Sequence, residues 1–150
     1  MPQASYSVTI NRPVADVFAY VADGEKCKEW RPGVRDIIQA GGGMTGGVGT
    51  RYIQGVNGPM GRRISADYVI SVFEPNQRLE FQTVTGPARP HGRYDFAATD
   101  EGGTKLTFAL DAELSGVRGI FMGGAVQKTM DAEVAATERL KQLLESTPEG

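Results

Sequence analysis

The sequence predicts an α+β fold in which an antiparallel sheet wraps around one long C-terminal helix, with two short helices after the first strand. Three observations predict it. Apolar and polar residues alternate through a series of segments from Tyr6 to Leu114, as half-buried strands require. Short stretches of turn chemistry join the later segments as hairpins, so they form one antiparallel meander with one buried face. The last thirty residues instead carry apolar side chains at helical spacing. With 150 residues, 40% of them apolar and 23% charged, a single domain over 1–150 can bury a substantial core.

Taken in order, Tyr6, Val8 and Ile10 alternate with Ser7, Thr9 and Asn11, which reads as the first strand. Pro13 stops it and suits the first turn of a helix, along which Val14, Val17, Phe18 and Val21 follow at helical spacing. Asp23-Gly24 breaks that helix, and Glu25 to Trp30 forms a second short one, ended by Arg31-Pro32-Gly33. Val34 to Ala40 reads as the second strand. Gly41, Gly43 and Gly46 match the spacing of a dinucleotide-binding loop, but strand-like Gly49–Gln54 follows where a phosphate-binding helix would have to begin. A hairpin loop is the better reading. After the turn Asn57–Gly61, one strand runs from Arg62 to Phe73 with Ile64, Ala66, Tyr68, Ile70 and Val72 on one face. Leu79, Phe81 and Thr83 define the next strand; Gly92, Tyr94, Phe96 and Ala98 the one after; Leu106, Phe108, Leu110, Ala112 and Leu114 the last.

A helix from about Val117 to Ser146 places Met122, Val126, Met130, Thr137, Leu140 and Leu144 on one face, flanked by Thr129, Ala136 and Leu143. Gly116, Gly119, Gly123 and Gly124 weaken its start, so the firm helix begins near Ala125 after a kinked or mobile turn. Glu133 breaks the pattern, because it falls near the middle of the apolar arc.

Several function classes are excluded. A net charge of −2 attracts neither nucleic acid nor anionic membranes, and Arg62-Arg63 is too small a basic patch to compensate. One cysteine, Cys27, cannot form an intrachain disulfide, and with His91 the only histidine, cysteine- and histidine-based metal sites are also excluded. Asp16, Asp23, Glu25 and Glu29 have the spacing of solvated helix faces. No metal or cofactor is called for. The opening residues lack a basic stretch followed by an apolar one, and no apolar run approaches the ~20 residues a membrane-spanning helix needs. The expectation is a cytoplasmic protein without stable membrane insertion; a homodimer paired along an edge strand is left open.

Local patterns in their order carry a resemblance. Ile10-Asn-Arg-Pro-Val-Ala-Asp-Val-Phe18, Ala22-Asp23 and Trp30-Arg-Pro-Gly-Val34 resemble the start of the START-like (Bet v 1-like, SRPBCC) superfamily, most closely its bacterial polyketide cyclase/dehydrase and lipid-transport group. Val48-Gly-Thr-Arg-Tyr52, Val72-Phe-Glu-Pro-Asn-Gln-Arg-Leu79 and Leu140-Lys-Gln-Leu-Leu-Glu145 look like its later landmarks. The resemblance implies a helix-grip fold, with a curved seven-stranded sheet around the C-terminal helix and a cavity between them for a hydrophobic or aromatic molecule. It transfers no catalytic residue.

Glu133 is the candidate acid, base or hydrogen-bond anchor. Facing the interior, its carboxyl would be desolvated and its pKa raised; the alternative is that the sheet leaves this turn uncovered and Glu133 reaches water. Strand parity points Tyr68 and Tyr94 inward, and Tyr52 with them, as ligand-orienting hydroxyls or as core. Trp30 either gates the cavity mouth or caps the core. Phe121 and Met122 are candidates for an entrance lip, and Met130 and Thr137 line the same helix face. His91 faces outward by parity, and Cys27 has no activating neighbour in sequence. The leading expectation is a binding or carrier protein for a small hydrophobic ligand. The alternatives are a cyclase/dehydratase-type enzyme using Glu133 and cavity tyrosines, and a protein-interaction module acting on a chaperone-like partner.

Overall fold

The computed structural model describes residues 3–40, 47–86, 89–112 and 127–146. Strand β1 (Gln3–Ile10) leads through Pro13 into helix α1 (Val14–Ala22) and a 3₁₀ segment, Gly24–Glu29. Then come β2 (Val34–Gln39), β3 (Arg51–Asn57), the short β4 (Arg63–Ser65), β5 (Tyr68–Glu74), β6 (Arg78–Thr83), β7 (His91–Ala98) and β8 (Thr104–Asp111). Residues 127–135 are helical, and after a turn at Ala136 the chain continues as α2 (Thr137–Ser146).

Seven strands pair antiparallel in the order β1-β8-β7-β6-β5-β3-β2, and β4 adds to β3 beside that path. The sheet curves around the C-terminal helix, which is the helix-grip arrangement. Period-two alternation decides its inner face: Val8 and Ile10, Tyr52, Tyr68 and Ile70, Leu79 and Phe81, Tyr94 and Phe96, and Leu106, Phe108 and Leu110 are all buried. Met130, Val134 and Leu140 of the helical region belong to the same core. Helix α1 buries Val17, Phe18 and Val21, and Phe18 meets Phe73 and Phe96 edge-on at centroid distances of 5.3 and 5.0 Å.

The C-terminal helical region also satisfies the outer edge of β1, which would otherwise present unpaired backbone groups. Gln127 accepts from the Gln3 amide at 3.0 Å and donates to the Gln3 carbonyl at 2.6 Å. Farther along, Lys141 Nζ donates to the Thr9 carbonyl at 2.7 Å, and Glu145 Oε2 accepts from the Asn11 amide at 2.8 Å. The Tyr6 hydroxyl donates to Glu138. The helix is thus placed by its polar flank as well as by its apolar face.

Three expectations need correction. The C-terminal helix is interrupted at Ala136; the Thr137 hydroxyl donates to the Val134 carbonyl at 2.8 Å, a back-bond of the kind that bends helices. Its expected start, 117–126, lies outside the described residues, as do Leu114 and the glycine loop 41–46. The single strand Arg62–Phe73 is two strands, because Asp67 intervenes: its carboxylate accepts from the Gln54 amide at 3.1 Å while its own amide donates to Thr85 Oγ1 at 2.8 Å. Finally, a register shift between Ile70 and Val72 flips parity, so Phe73, not Val72, packs against Phe18.

Candidate functional site

The site begins with the turn that follows the first short helices. Asp23 Oδ1 accepts from the Glu25 amide at 3.2 Å and so caps the 3₁₀ segment. At its far end the Trp30 and Arg31 amides both donate to the Cys27 carbonyl, and Val34 N donates back to the Arg31 carbonyl. Pro32 then forbids another helical turn. These constraints send two consecutive side chains inward: Trp30 is 0% and Arg31 6% exposed. A buried arginine is the less expected of the two.

Arg31 meets the carboxylate that broke the apolar arc. Its Nε donates to Glu133 Oε2 at 2.6 Å, with the two side chains only 7% and 13% exposed. Gly33 makes this approach feasible, since a Cβ there would lie 2.7 Å from Glu133 Oε1. On the other side Nη1 of Arg31 points to Gln54 Oε1 at 3.5 Å, a marginal hydrogen bond, and Gln54 Nε2 donates to the Ala66 carbonyl at 3.0 Å. A polar chain therefore runs from the helix through Arg31 to the β3–β5 region. Burial alone would weaken the guanidinium's hold on its proton, but the Glu133 carboxylate outweighs it and raises the pKa.

Aromatic rings surround this chain. Trp30 packs edge-on to Tyr94 and Phe108, with centroids 6.4 and 6.2 Å away. Tyr94 stacks on Phe108 at 4.3 Å, and Tyr52 on Tyr68 at 5.1 Å; Phe81 joins the two pairs. Burial pushes the Tyr68 and Tyr94 hydroxyls well above the ordinary phenol range and raises Tyr52 as well, so all three are protonated donors at neutral pH. The Trp30 indole N–H and the Tyr52 hydroxyl are buried without a formed hydrogen bond among the described residues; the Tyr52 oxygen lies near the Gly24 backbone, short of good geometry. Such orphans are rare and call for an explanation.

Trp30, Tyr52, Tyr68, Tyr94, Met130 and Thr137 are all buried, and the Thr137 hydroxyl is already used on Val134. With no exposed surface, Trp30 sits in the core here and not at an open mouth. Phe121 and Met122 lie outside the described residues. The uncovered alternative for Glu133 is set aside by its pairing with Arg31. His91 is on the outer face, between Glu80 at 2.7 Å and Asp111 at 3.3 Å. Glu25 and Glu29 serve local structure, accepting from the Gln39 amide and the Tyr20 hydroxyl. A cleft of about 300 Å³ at the far ends of β1 and α2 is a separate feature, lined by Asn11, Glu101, Lys141 and Glu145, the last two joined at 2.7 Å.

Sequence reasoning missed Arg31 and Gln54. Gln54 shared strand parity with Tyr52 and was legible as an inward polar residue. Arg31 sits in a turn without periodicity; the available signal was indirect, since a carboxylate inside an apolar arc requires a cation or hydrogen-bond donors.

Residues 1–145 match the family model described as polyketide cyclase/dehydrase and lipid transport. Among solved structures, the chain is similar to TTHA0849 from Thermus thermophilus, at 22% identity and a TM-score of 0.78 over 97% of this chain and 100% of that one. It is also similar to a START superfamily protein from Mycobacterium smegmatis, at 16% identity and a TM-score of 0.71 over 95% and 98% of the two chains. An aromatase/cyclase from a Streptomyces species shares 13% identity and a TM-score of 0.69 over 93% of each chain. No curated protein matches the chain by sequence. At these identities the structural likenesses speak for the fold.

Proposed function

We propose, from the premise that the chain belongs to the polyketide cyclase/dehydrase and lipid-transport family of the START-like superfamily, that it binds a small hydrophobic or aromatic molecule between sheet and C-terminal helix and serves as its carrier. One observation carries the reading: a buried arginine–glutamate pair and orphaned donors sit within an aromatic interior. As a stability device this is poor, because desolvation offsets most of the attraction in a buried ion pair and apolar side chains of similar volume serve a fold as well or better. An apolar interior with a few directed polar groups is instead the usual build of a ligand site. Trp30, Tyr68, Tyr94 and Met130 supply its apolar surface, and Tyr52 and the Arg31–Glu133 pair its direction.

The carrier reading is favoured over a cyclase or dehydratase by the state of the candidate acid–base groups. Glu133 Oε2 is committed to Arg31, and the tyrosines hold their protons, which suits them to orient a carbonyl more than to abstract a proton. Native mass spectrometry of freshly purified protein, followed by denaturing extraction, tests this. A stoichiometric lipid or aromatic adduct, returned unchanged after incubation with excess protein, is the expected result. Conversion of the extracted compound would transfer the assignment to an enzyme. A clean apo mass, together with no binding of apolar probes, would remove the ligand site altogether.

A further inference from the structure

The buried donors do more than mark a site; they restrict what can occupy it. We infer that the inner end of the ligand is a neutral hydrogen-bond acceptor, a ketone, quinone or ester carbonyl, and that Arg31 with Trp30 selects it. This rests on the reading that the interior takes a ligand.

The indole N–H of Trp30 can only donate, and among the described residues nothing accepts from it although the residue is wholly buried. The Arg31 guanidinium can only donate as well, through five N–H groups. Its Nε is used on Glu133 and its Nη1 reaches Gln54 only at 3.5 Å. Cys27 also lies within its reach, but a thiol sulfur is a weak acceptor. The Tyr52 hydroxyl is a third donor without a formed bond. Two nearby oxygen acceptors are engaged, Glu133 Oε2 holding Arg31 and Gln54 Oε1 facing it, which leaves Glu133 Oε1, beside Gly33, to set against the three donor groups. The surplus is therefore of donors, and a group that brings only donors would leave both sides unsatisfied.

Charge narrows the class further. Arg31 and Glu133 cancel, so the pair has a strong local dipole and no net charge. A carboxylate docked on Arg31 would stand beside the Glu133 carboxylate and lose by like-charge repulsion what it gained. A neutral carbonyl incurs no such penalty. It accepts from a guanidinium N–H not used on Glu133 or from the Trp30 N–H, while its hydrocarbon body lies against Tyr94 and Phe108.

Four probes that share one body separate these possibilities: 2-acetonaphthone, 2-naphthoate, 2-naphthylmethylamine and 2-ethylnaphthalene, titrated calorimetrically into the full chain. Trp30 is the sole tryptophan, so its fluorescence reports occupancy of the same place. The ketone is expected to bind at least tenfold tighter than each of the others. Replacing both members of the pair, Arg31→Gln with Glu133→Gln, avoids a buried lone charge and should erase that preference while 2-ethylnaphthalene still binds. Trp30→Phe should weaken the ketone severalfold more than the hydrocarbon. Equal affinities for the four probes, or a preference for the amine or the acid, would overturn the inference and leave the ligand-binding reading intact. Failure of all four to bind also overturns it, and the native mass spectrum then decides separately whether the site holds any ligand.

Discussion

Breaking the Arg31–Glu133 pair from either side should cost far more than removing it whole. At 2.6 Å and an effective dielectric constant of ~20, the gross attraction is about 6 kcal/mol. Desolvation of two side chains only 7% and 13% exposed offsets most of it, so the pair contributes little net stability. A lone charge has no such compensation. Arg31→Met strands the Glu133 carboxylate, Glu133→Leu strands the guanidinium, and each is expected to lower the unfolding free energy by roughly 3–5 kcal/mol. The double variant, with two apolar side chains of similar volume, should fall within about 1 kcal/mol of the parent. Urea unfolding of the four proteins, read by far-UV circular dichroism, gives the coupling energy directly, expected at ~3 kcal/mol or more. Single variants costing under ~1 kcal/mol, or a double variant equal to the sum of the singles, would refute the claim that the two groups meet out of water.

Other outcomes follow from the same interior. Gly33→Ala puts a methyl 2.7 Å from Glu133 Oε1, so the carboxylate must shift within its pairing with Arg31; a loss of about 1 kcal/mol in urea unfolding, with much less in the Glu133→Leu background, is expected. Tyr68 and Tyr94 have pKa values raised above the unfolded 10.0, so the stability they contribute is complete below pH 10 and is lost as pH rises through the folded values. Between those limits stability should fall by up to ~2.7 kcal/mol per pH unit for the two, with tyrosinate absorbance at about 295 nm appearing together with unfolding. A smooth native-state titration of all tyrosines centred on pH 10 would contradict this. Cys27 is 3% exposed and burial pushes its thiol pKa up, so an aromatic disulfide reagent should modify it only as the protein unfolds. Rapid stoichiometric labelling of folded protein would count against that burial.

Much of this architecture was legible residue by residue. Tyr68, Leu79, Phe81, Tyr94, Phe96, Leu106 and Phe108 face inward because alternation on a pleated strand leaves them nowhere else to go once one face is buried. The helix face through Met130, Thr137 and Leu140 followed from its helical period. The misreadings arose where a local hydrogen bond or a register shift overrode a pattern. Asp67 ended a strand that alternation continued, a bulge exchanged Val72 for Phe73, and Thr137 turned its hydroxyl onto the preceding turn.

The candidate site divides along the same line. The sequence alone determined that a carboxylate falls within the apolar arc of the last helix and that tyrosines share strand parity with apolar neighbours, because both statements depend only on local periodicity; whether the sheet covers the turn that carries Glu133 it left open. Tertiary structure alone decided that Glu133 finds Arg31, 102 positions away in the chain, over a glycine that leaves room for it. That pairing turns a candidate acid into half of a neutral dipole and leaves spare donors on Arg31 and Trp30. No local pattern encodes it, since Arg31 belongs to a turn without periodicity and its direction is set by how Pro32 and the 3₁₀ segment pack against the sheet.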